Sequence, residues 1–140
     1  MEIEFYEKNT IGNEKLLYAI IVSRYRDKWV YVKHKRRKTW EIPAGHREIG
    51  EDINFTAKRE LIEETGAEEF KITHINDYSL IIEGEKSFAS LFYAEINSLG
   101  ELPNFEIGEV KLFEEESKEL TYPSIQPLLI KRIKEVRGIK

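Results

Sequence analysis

Residues 40–67 read WEIPAGHREIGEDINFTAKRELIEETGA, and the order of glycines, acidic residues and arginine in this stretch decides how the rest of the chain is read. From Asp52 to Thr65 it holds neither glycine nor proline, and its Glu, Lys, Arg, Ala and Leu residues favour helix. At about 100° per residue, Glu60 and Glu64 fall one turn apart on one face with Glu63 close beside them, so their carboxylates share a stripe. Ile53, Ala57 and Leu61 recur at helical spacing as a core-facing row. Phe55 and Ile62 form a second apolar patch, which predicts a helix covered on both flanks. Gly45 is expected either to let the backbone approach a ligand closely or to take a positive φ. Gly66 is expected to stop the helix from the C′ position.

Like charges at i,i+3 and i,i+4 oppose each other by roughly 0.2–0.5 kcal/mol per pair, so such a stripe either dissolves in solvent or surrounds a cation. For the three glutamates alone, a solvated helix face is the ordinary reading. A solvated face, however, has no need of a fixed loop upstream, whereas Gly45, Glu51, Arg59 and Gly66 stand in register around this one. Magnesium suits the stripe, being a hard ion that completes its octahedron from a few carboxylates, waters and substrate phosphates.

Gly45, Glu51, Arg59, Glu60, Leu61, Glu63, Glu64 and Gly66 have the spacing G-x5-E-x7-R-E-L-x-E-E-x-G. If each polar or glycine position matches at about the average glycine frequency, one start fits by accident roughly once in 10⁸ trials. The pattern resembles the Nudix box. That resemblance implies that Glu60, Glu63 and Glu64 bind divalent metal, Mg2+ or Mn2+, and that the Ala44 backbone carbonyl completes the metal site. It implies that Arg59 holds a glutamate in place by an ion pair, so that Arg59, Glu60, Glu63 and Glu64 make up the catalytic set. It also implies an α/β fold, an α/β/α sandwich around a mixed sheet with the box forming a loop and a helix on that sheet. The implied reaction is hydrolysis of a diphosphate bond in a nucleoside diphosphate joined to another group. The general base is either a box glutamate or one on a later loop, where Glu83, Glu85, Glu106 and Glu109 are candidates. Ala67 departs from the larger aliphatic residue usual at the last box position and touches packing alone. Relatives of this fold that serve as non-catalytic sensors or RNA-binding modules typically lose a box glutamate, and here all are present.

The 140 residues are read as one domain, 1–140, with a hydrophobic content of 41% that fits a globular chain. A net charge of −4 argues against wholesale wrapping of nucleic acid while leaving room for a local basic patch. The absence of cysteine removes disulfides, thiolate nucleophiles and cysteine zinc sites together. The N-terminal MEIEFYEKNT carries charges where a signal peptide needs an apolar stretch, and no run reaches the length of a membrane span, so a cytoplasmic home is the default expectation. Both a monomer and a homodimer stay open.

Around the central stretch, Ile3–Tyr6 reads as a short edge strand, Lys15–Arg24 as a buried central strand, and Trp29–His34 as its hairpin partner. Phe70–Ile82 and Lys86–Ile96 read as strands joined by a turn at Glu83-Gly84-Glu85, followed by a loop over 95–108 and a strand Glu109–Phe113. A last helix is expected with Pro123 at its first position and Thr121 as cap, and with Leu128, Leu129, Ile130, Ile133 and Val136 as its apolar face.

Lys33 to Lys38 form the dense basic run of this acidic chain, read either as a solvated turn that protects a strand edge or as a device that captures polyphosphate or an RNA 5′ end. His34 and His46 are expected in loops, without a zinc spacing. Gly45, Arg36, Arg37 and Trp40 are the expected substrate contacts. The chain has Ile81-Ile82-Glu83 where the ADP-ribose branch of the resembled family often carries a proline, although its IPAG opening is like that branch. Tyr78 falls too early to match the tyrosine of the dinucleoside polyphosphate branch. The remaining features resemble the MutT-like group, which acts on nucleoside triphosphates including oxidised guanine nucleotides. ADP-ribose, nucleotide-sugar and RNA 5′ pyrophosphohydrolysis are the alternatives. Asn76, Asn97 and Asn104 are the candidates for reading an oxidised base.

Overall fold

A computed structural model describes residues 1–103 and 106–140. The elements follow the chain as β1 (Glu2–Glu7), β2 (Leu16–Tyr25), β3 (Lys28–His34), β4 (Ala44–His46), α1 (Ile53–Thr65), β5 (Ala67–Ile82), β6 (Glu85–Leu99), β7 (Ile107–Phe113) and α2 (Gln126–Arg137). A 3₁₀ turn, Asn13–Lys15, precedes β2. The sheet runs β1-β5-β6-β2-β3-β7, with β4 added on β2. Its centre is the parallel pair of β2 and β6, which runs from Leu16 opposite Phe88, through a register shift before Tyr18, to Tyr25 opposite Ile96. The other pairs are antiparallel.

The apolar run of β2 is continuous because both faces of the strand are covered. Ala19 and Ile21 pack toward Ile53, Ala57 and Leu61 of α1. Ile20 and Val22 alternate to the other side, toward Leu129, Ile130 and Ile133 of α2. The sheet thus lies between two helices, each closing one half of the core, and the expected α/β/α sandwich is what the chain forms. The two tight hairpins follow from backbone sign: Arg26 and Asp27 both have positive φ between β2 and β3, as do Glu83 and Gly84 between β5 and β6.

The detail that makes the site is a split in the sheet. β2 and β3 pair at Arg24 with Trp29 and at Tyr25 with Lys28, then part. The chain returning from β3 enters the gap, bonding Val32 through Glu41 on one side and placing β4 against Tyr18–Ile20 on the other. β4 is too short, and too interrupted by Pro43 ahead of it, to be visible as a strand in the sequence.

Several expectations need correction. Phe55 is 59% exposed and Ile62 37% exposed, because α1 forms an outer layer with only the Ile53, Ala57, Leu61 row on the sheet. β6 continues to Leu99 and β7 begins at Ile107, so the predicted 95–108 loop is shorter at both ends. α2 begins at Gln126 with Pro127 in its first turn, and Pro123 lies before it. Thr121 is no cap, since its hydroxyl bonds that of Thr39. Leu128 and Val136 are exposed, which narrows the buried face of α2 to Leu129, Ile130 and Ile133. His34 ends β3 and His46 ends β4, so neither is a loop residue.

Truncating the buried row of α1 creates a cavity, whereas its outer flank has nothing to lose. Leu61→Ala is expected to cost about 2–5 kcal/mol in urea unfolding, and Phe55→Ser to stay within about 0.5 kcal/mol of the parent. Comparable losses for both variants would mean that the outer flank of α1 is also packed.

Candidate active site

The acidic helix is placed by its two ends. Asp52 caps the first turn by accepting the Asn54 amide at 2.8 Å, and Gly66, at φ 75°, ends the last turn with its amide on the Ile62 carbonyl. Between them Arg59 is the hub. Its Nε and Nη2 donate to the two oxygens of Glu51 at 2.8 and 2.9 Å. Nη1 donates to Glu60 at 2.7 Å and to Glu63 at 3.3 Å, and Nη2 also reaches the His46 carbonyl at 3.0 Å. The Arg59 guanidinium, helped by the Thr56 hydroxyl, holds the Glu51 carboxyl down at about 2.

Gly45 explains itself by contact. A Cβ at that position would lie 1.9 Å from the Glu60 carboxyl carbon and 2.2 and 2.3 Å from its oxygens. Its φ is not positive, so the need for glycine is close approach, and the approaching group is Glu60 itself. Beside it, the Ala44 amide donates to Glu64 at 2.9 Å. The N–H and C=O of a strand residue point to the same side, so the Ala44 carbonyl faces the helix as well. Glu64 is buried, and burial, reinforced by the charges of Glu60, Glu41 and Glu63, pushes its carboxyl up to about 8. Burial also raises Glu60, against the opposing pull of Arg59.

These side chains form one wall of a cleft of about 760 Å3. The facing wall is apolar and aromatic: Tyr18 and Ile20 from β2, Leu80 and Ile82 from β5, and Tyr122 and Ile125 ahead of α2. His34, Arg37, Glu41 and Glu106 also line the cleft. Three backbone hydrogen bonds gather them there: the Lys35 amide on the Glu106 carbonyl, the Trp40 amide on the Glu119 carbonyl, and the Thr121 amide on the Trp40 carbonyl. Arg37 Nη1 donates to Glu41 at 3.1 Å and to the Tyr122 hydroxyl at 3.3 Å. His34 Nε2 lies 3.6 Å from Glu64 and 3.9 Å from Glu41.

Among the described residues no three acidic or imidazole side chains converge tightly enough to ligate an ion as they stand. The cation between Glu60 and Glu63 is the Nη1 end of Arg59. The donor set nonetheless suits a hard divalent ion. Its atoms are carboxylate oxygens, and the charge of Glu63 raises the proton affinity of Glu60 while the charges of Glu60 and Glu63 raise that of Glu64, a repulsion that an added cation relieves.

A sequence profile described as NUDIX domain matches residues 15–129. The chain belongs to the Nudix family. Nudix hydrolases act on nucleoside diphosphate derivatives and generally use a divalent metal such as Mg2+, and this chain is a Nudix pyrophosphohydrolase. It is 26% identical over 152 residues to Bacillus subtilis (strain 168) YtkD, provisionally named an 8-oxo-dGTP diphosphatase, covering 96% of each chain. In fold it is similar to the Bacillus subtilis pyrophosphohydrolase BsRppH, with TM-score 0.80 and 22% identity over 99% of this chain and 93% of that one. It is also similar to a C. elegans Ap4A hydrolase, with TM-score 0.65 and 22% identity over 86% and 98%.

Within this Nudix fold, Ala44, Gly45, Arg59, Glu60, Glu63 and Glu64 all line the cleft, and so does Arg37. Arg36 is exposed and does not line it. Trp40 does not line it either: at 8% exposure it packs edge-on against Phe113 in the α2-side core. Asn76 is spent on the Tyr6 carbonyl and Arg132, Asn97 is exposed away from the cleft, and Asn104 lies outside the described residues. Of the four base candidates, Glu106 lines the cleft, while Glu83 and Glu85 are exposed at the β5–β6 turn and Glu109 pairs with Lys33. Sequence reasoning missed Tyr18, His34, Glu41, Tyr122 and Gln126, which come from distant segments that no local spacing connects. Gln126 is 3% exposed and accepts the Ile42 amide through Oε1 at 3.0 Å, so the group it offers to the cleft is its –NH2 donor.

The lowered Glu51 pKa carries a pH dependence. An acid whose folded pKa is below its unfolded value stabilises the fold above the unfolded pKa and loses that contribution as pH falls through the folded one. The stability gap between the parent and Glu51→Gln is therefore expected to be constant above about pH 5 and to close between 4.5 and about 2. A gap that stays constant down to pH 2 would show that Glu51 is not held by Arg59.

Proposed function

We propose that this chain is a MutT-like enzyme that cleaves nucleoside triphosphates, oxidised guanine forms among them, to the monophosphate and pyrophosphate. The observation that carries the reading is the pairing of two walls in one cleft: carboxylates and Arg59 on one side, and on the other an apolar and aromatic surface ending at the Gln126 donor. The first suits a polyphosphate with its counter-ion and the second a nucleobase. The likeness to YtkD along nearly its whole length supports the same reading.

In this proposal Glu60, Glu63, Glu64 and the Ala44 carbonyl hold the magnesium. Bound there, a divalent ion would supply charge neutralisation for phosphate oxygens and acidify a water for attack at phosphorus. The chain's own parts then divide the work. Arg59 orients Glu60 and Glu63. Arg37, whose Nη1 is fixed by Glu41 and Tyr122, presents the rest of its guanidinium to phosphate. Glu106, which lines the same cleft, is the proton acceptor in this reading. Tyr122, 43% exposed at the rim, and Tyr18 offer rings for stacking. The Gln126 amide donates to a base carbonyl, and bases that present an amino group there leave it unmatched.

Glu63→Gln and Glu64→Gln should each lower kcat by about a hundredfold or more while circular dichroism and unfolding midpoint stay near the parent. Glutamine at 64 still accepts the Ala44 amide, so the fold has what it needs. Near-parent kcat at saturating magnesium in either variant would remove that residue from the metal site.

A second reading has its own observation. His34 and Arg37 line the cleft, so the exposed turn of Lys35, Arg36 and Lys38 sits at its mouth, where a longer polyanion would leave. RNA 5′ ends fit that arrangement. Both readings are tested by kcat/KM over the common triphosphates, an oxidised guanine triphosphate, ADP-ribose, a dinucleoside tetraphosphate and a 5′-triphosphorylated RNA, with Gln126→Glu alongside. A guanine-class triphosphate should lead, and Gln126→Glu, which keeps an acceptor for Ile42 but loses the donor, should reduce that lead by about tenfold. An RNA lead that falls in Arg36→Ala/Lys38→Ala would favour the second reading. A tenfold lead by ADP-ribose or the tetraphosphate would overturn both.

A further inference from the structure

Asn13 lies far ahead of the box in sequence and touches neither the cleft nor any box glutamate side chain, yet it is bonded to the box at two points. Its Nδ2 donates to the Glu51 carbonyl at 3.0 Å and its Oδ1 accepts the Ile53 amide at 2.8 Å. The side-chain amide therefore acts as a peptide group would in a ladder, gripping the residues on either side of the Asp52 cap. The second bond also satisfies a first-turn amide that a helix leaves open. Arg47 strengthens the same junction. Its Nη1 donates to the Glu51 carbonyl at 3.2 Å, while Nε and Nη2 bind the Leu16 and Glu14 carbonyls at 2.9 and 3.2 Å. The Glu51 carbonyl thus takes donors from two separate segments, and its main chain is fixed to the turn that starts β2.

Glu51 passes that constraint on. Its carboxylate holds Arg59 through two bonds, and the opposite end of the same planar guanidinium holds Glu60 and Glu63. A shift of the Glu51 main chain moves the fork, and the fork moves the carboxylates. We infer that Asn13 is a positioning residue for hydrolysis, setting the register of the Glu51–Arg59 pair and through it the placement of Glu60 and Glu63. The inference rests on the proposed role of those glutamates as metal ligands. Asparagine is suited because the junction presents one acceptor and one donor two residues apart. Aspartate keeps the acceptor for Ile53 but turns a second oxygen on the Glu51 carbonyl, and alanine supplies neither bond.

The test compares Asn13→Ala, Asn13→Asp, Glu51→Gln and the double variant Asn13→Ala/Glu51→Gln. Asn13→Ala and Asn13→Asp should each lower kcat by about tenfold with KM within about twofold, and the double variant should fall no further than Glu51→Gln, because both act along one path. Away from turnover, Mn2+ binding followed by electron paramagnetic resonance without substrate should weaken in both Asn13 variants. The Arg59 Nε–H signal of the metal-free protein should exchange faster with solvent. If Asn13→Ala fails to fold, Asn13→Asp, which retains the helix-capping acceptor, carries the same readouts. A lowered unfolding midpoint with parent values for kcat, Mn2+ affinity and the Arg59 signal would overturn the inference, as would fully multiplicative kcat losses in the double variant. Failure of the underlying reading is distinct: it would appear as parent kcat in Glu63→Gln, whatever Asn13 does.

Discussion

The rest of the site depends on how one guanidinium is spent. Arg59 is largely buried and distributes its donors over Glu51, Glu60, Glu63 and the His46 carbonyl. Burying a charge is costly unless it is paired and hydrogen-bonded, and here the pairing is bidentate toward Glu51, the arrangement that suits a planar fork and that a lysine cannot reproduce. Removing one partner of such a pair typically costs about 3–5 kcal/mol because the other charge stays behind unmatched. The molecule thus ties the geometry of its acidic wall to its own stability. The same arginine that separates like charges on α1 also prevents them from relaxing toward solvent.

The split between β2 and β3 is the second constraint, and it follows from the first. Gly45 must lie against the Glu60 carboxylate, which requires a strand without a side chain at that point and close to the helix. Threading residues 41–46 into the gap provides it, and the parting strands leave the cleft as the space between them. One departure from regular pairing therefore supplies the backbone beside Glu60 and Glu64, and brings His34, Arg37 and Glu41 into reach of them.

What could be read from the sequence was whatever the chain encodes locally. The row Ile53, Ala57, Leu61, the stop at Gly66 and the stripe Glu60, Glu63, Glu64 each depend on periodicity within one helix, and all are in place. Phe55 and Ile62 show the limit, since a helical pattern says which residues share a face and not whether anything covers it. Arg36 and Arg37 are indistinguishable by composition, and only the contact with Glu41 and Tyr122 separates the cleft residue from the solvated one. Trp40 is an expected substrate contact by its place next to the box, but the register with Glu119 and Thr121 turns it into the core. Gln126 and Tyr122 reach the cleft from far along the chain, through contacts with Ile42 and Arg37 that no spacing announces.

The parallel pairing of β2 with β6 has a consequence for how the chain is made. Leu16 finds its partner only at Phe88, after β3, β4, α1 and β5 have been synthesised. Long-range pairing of this kind forms slowly compared with local hairpins. On the ribosome, the acidic helix and the apolar strand LLYAIIV emerge before the strand that shelters one edge of β2. Until the long β5–β6 hairpin closes and docks, that edge is an open template for pairing with another chain. A nascent chain stalled before β6 would thus be the aggregation-prone form of this protein, with the inner edge of β2 still uncovered.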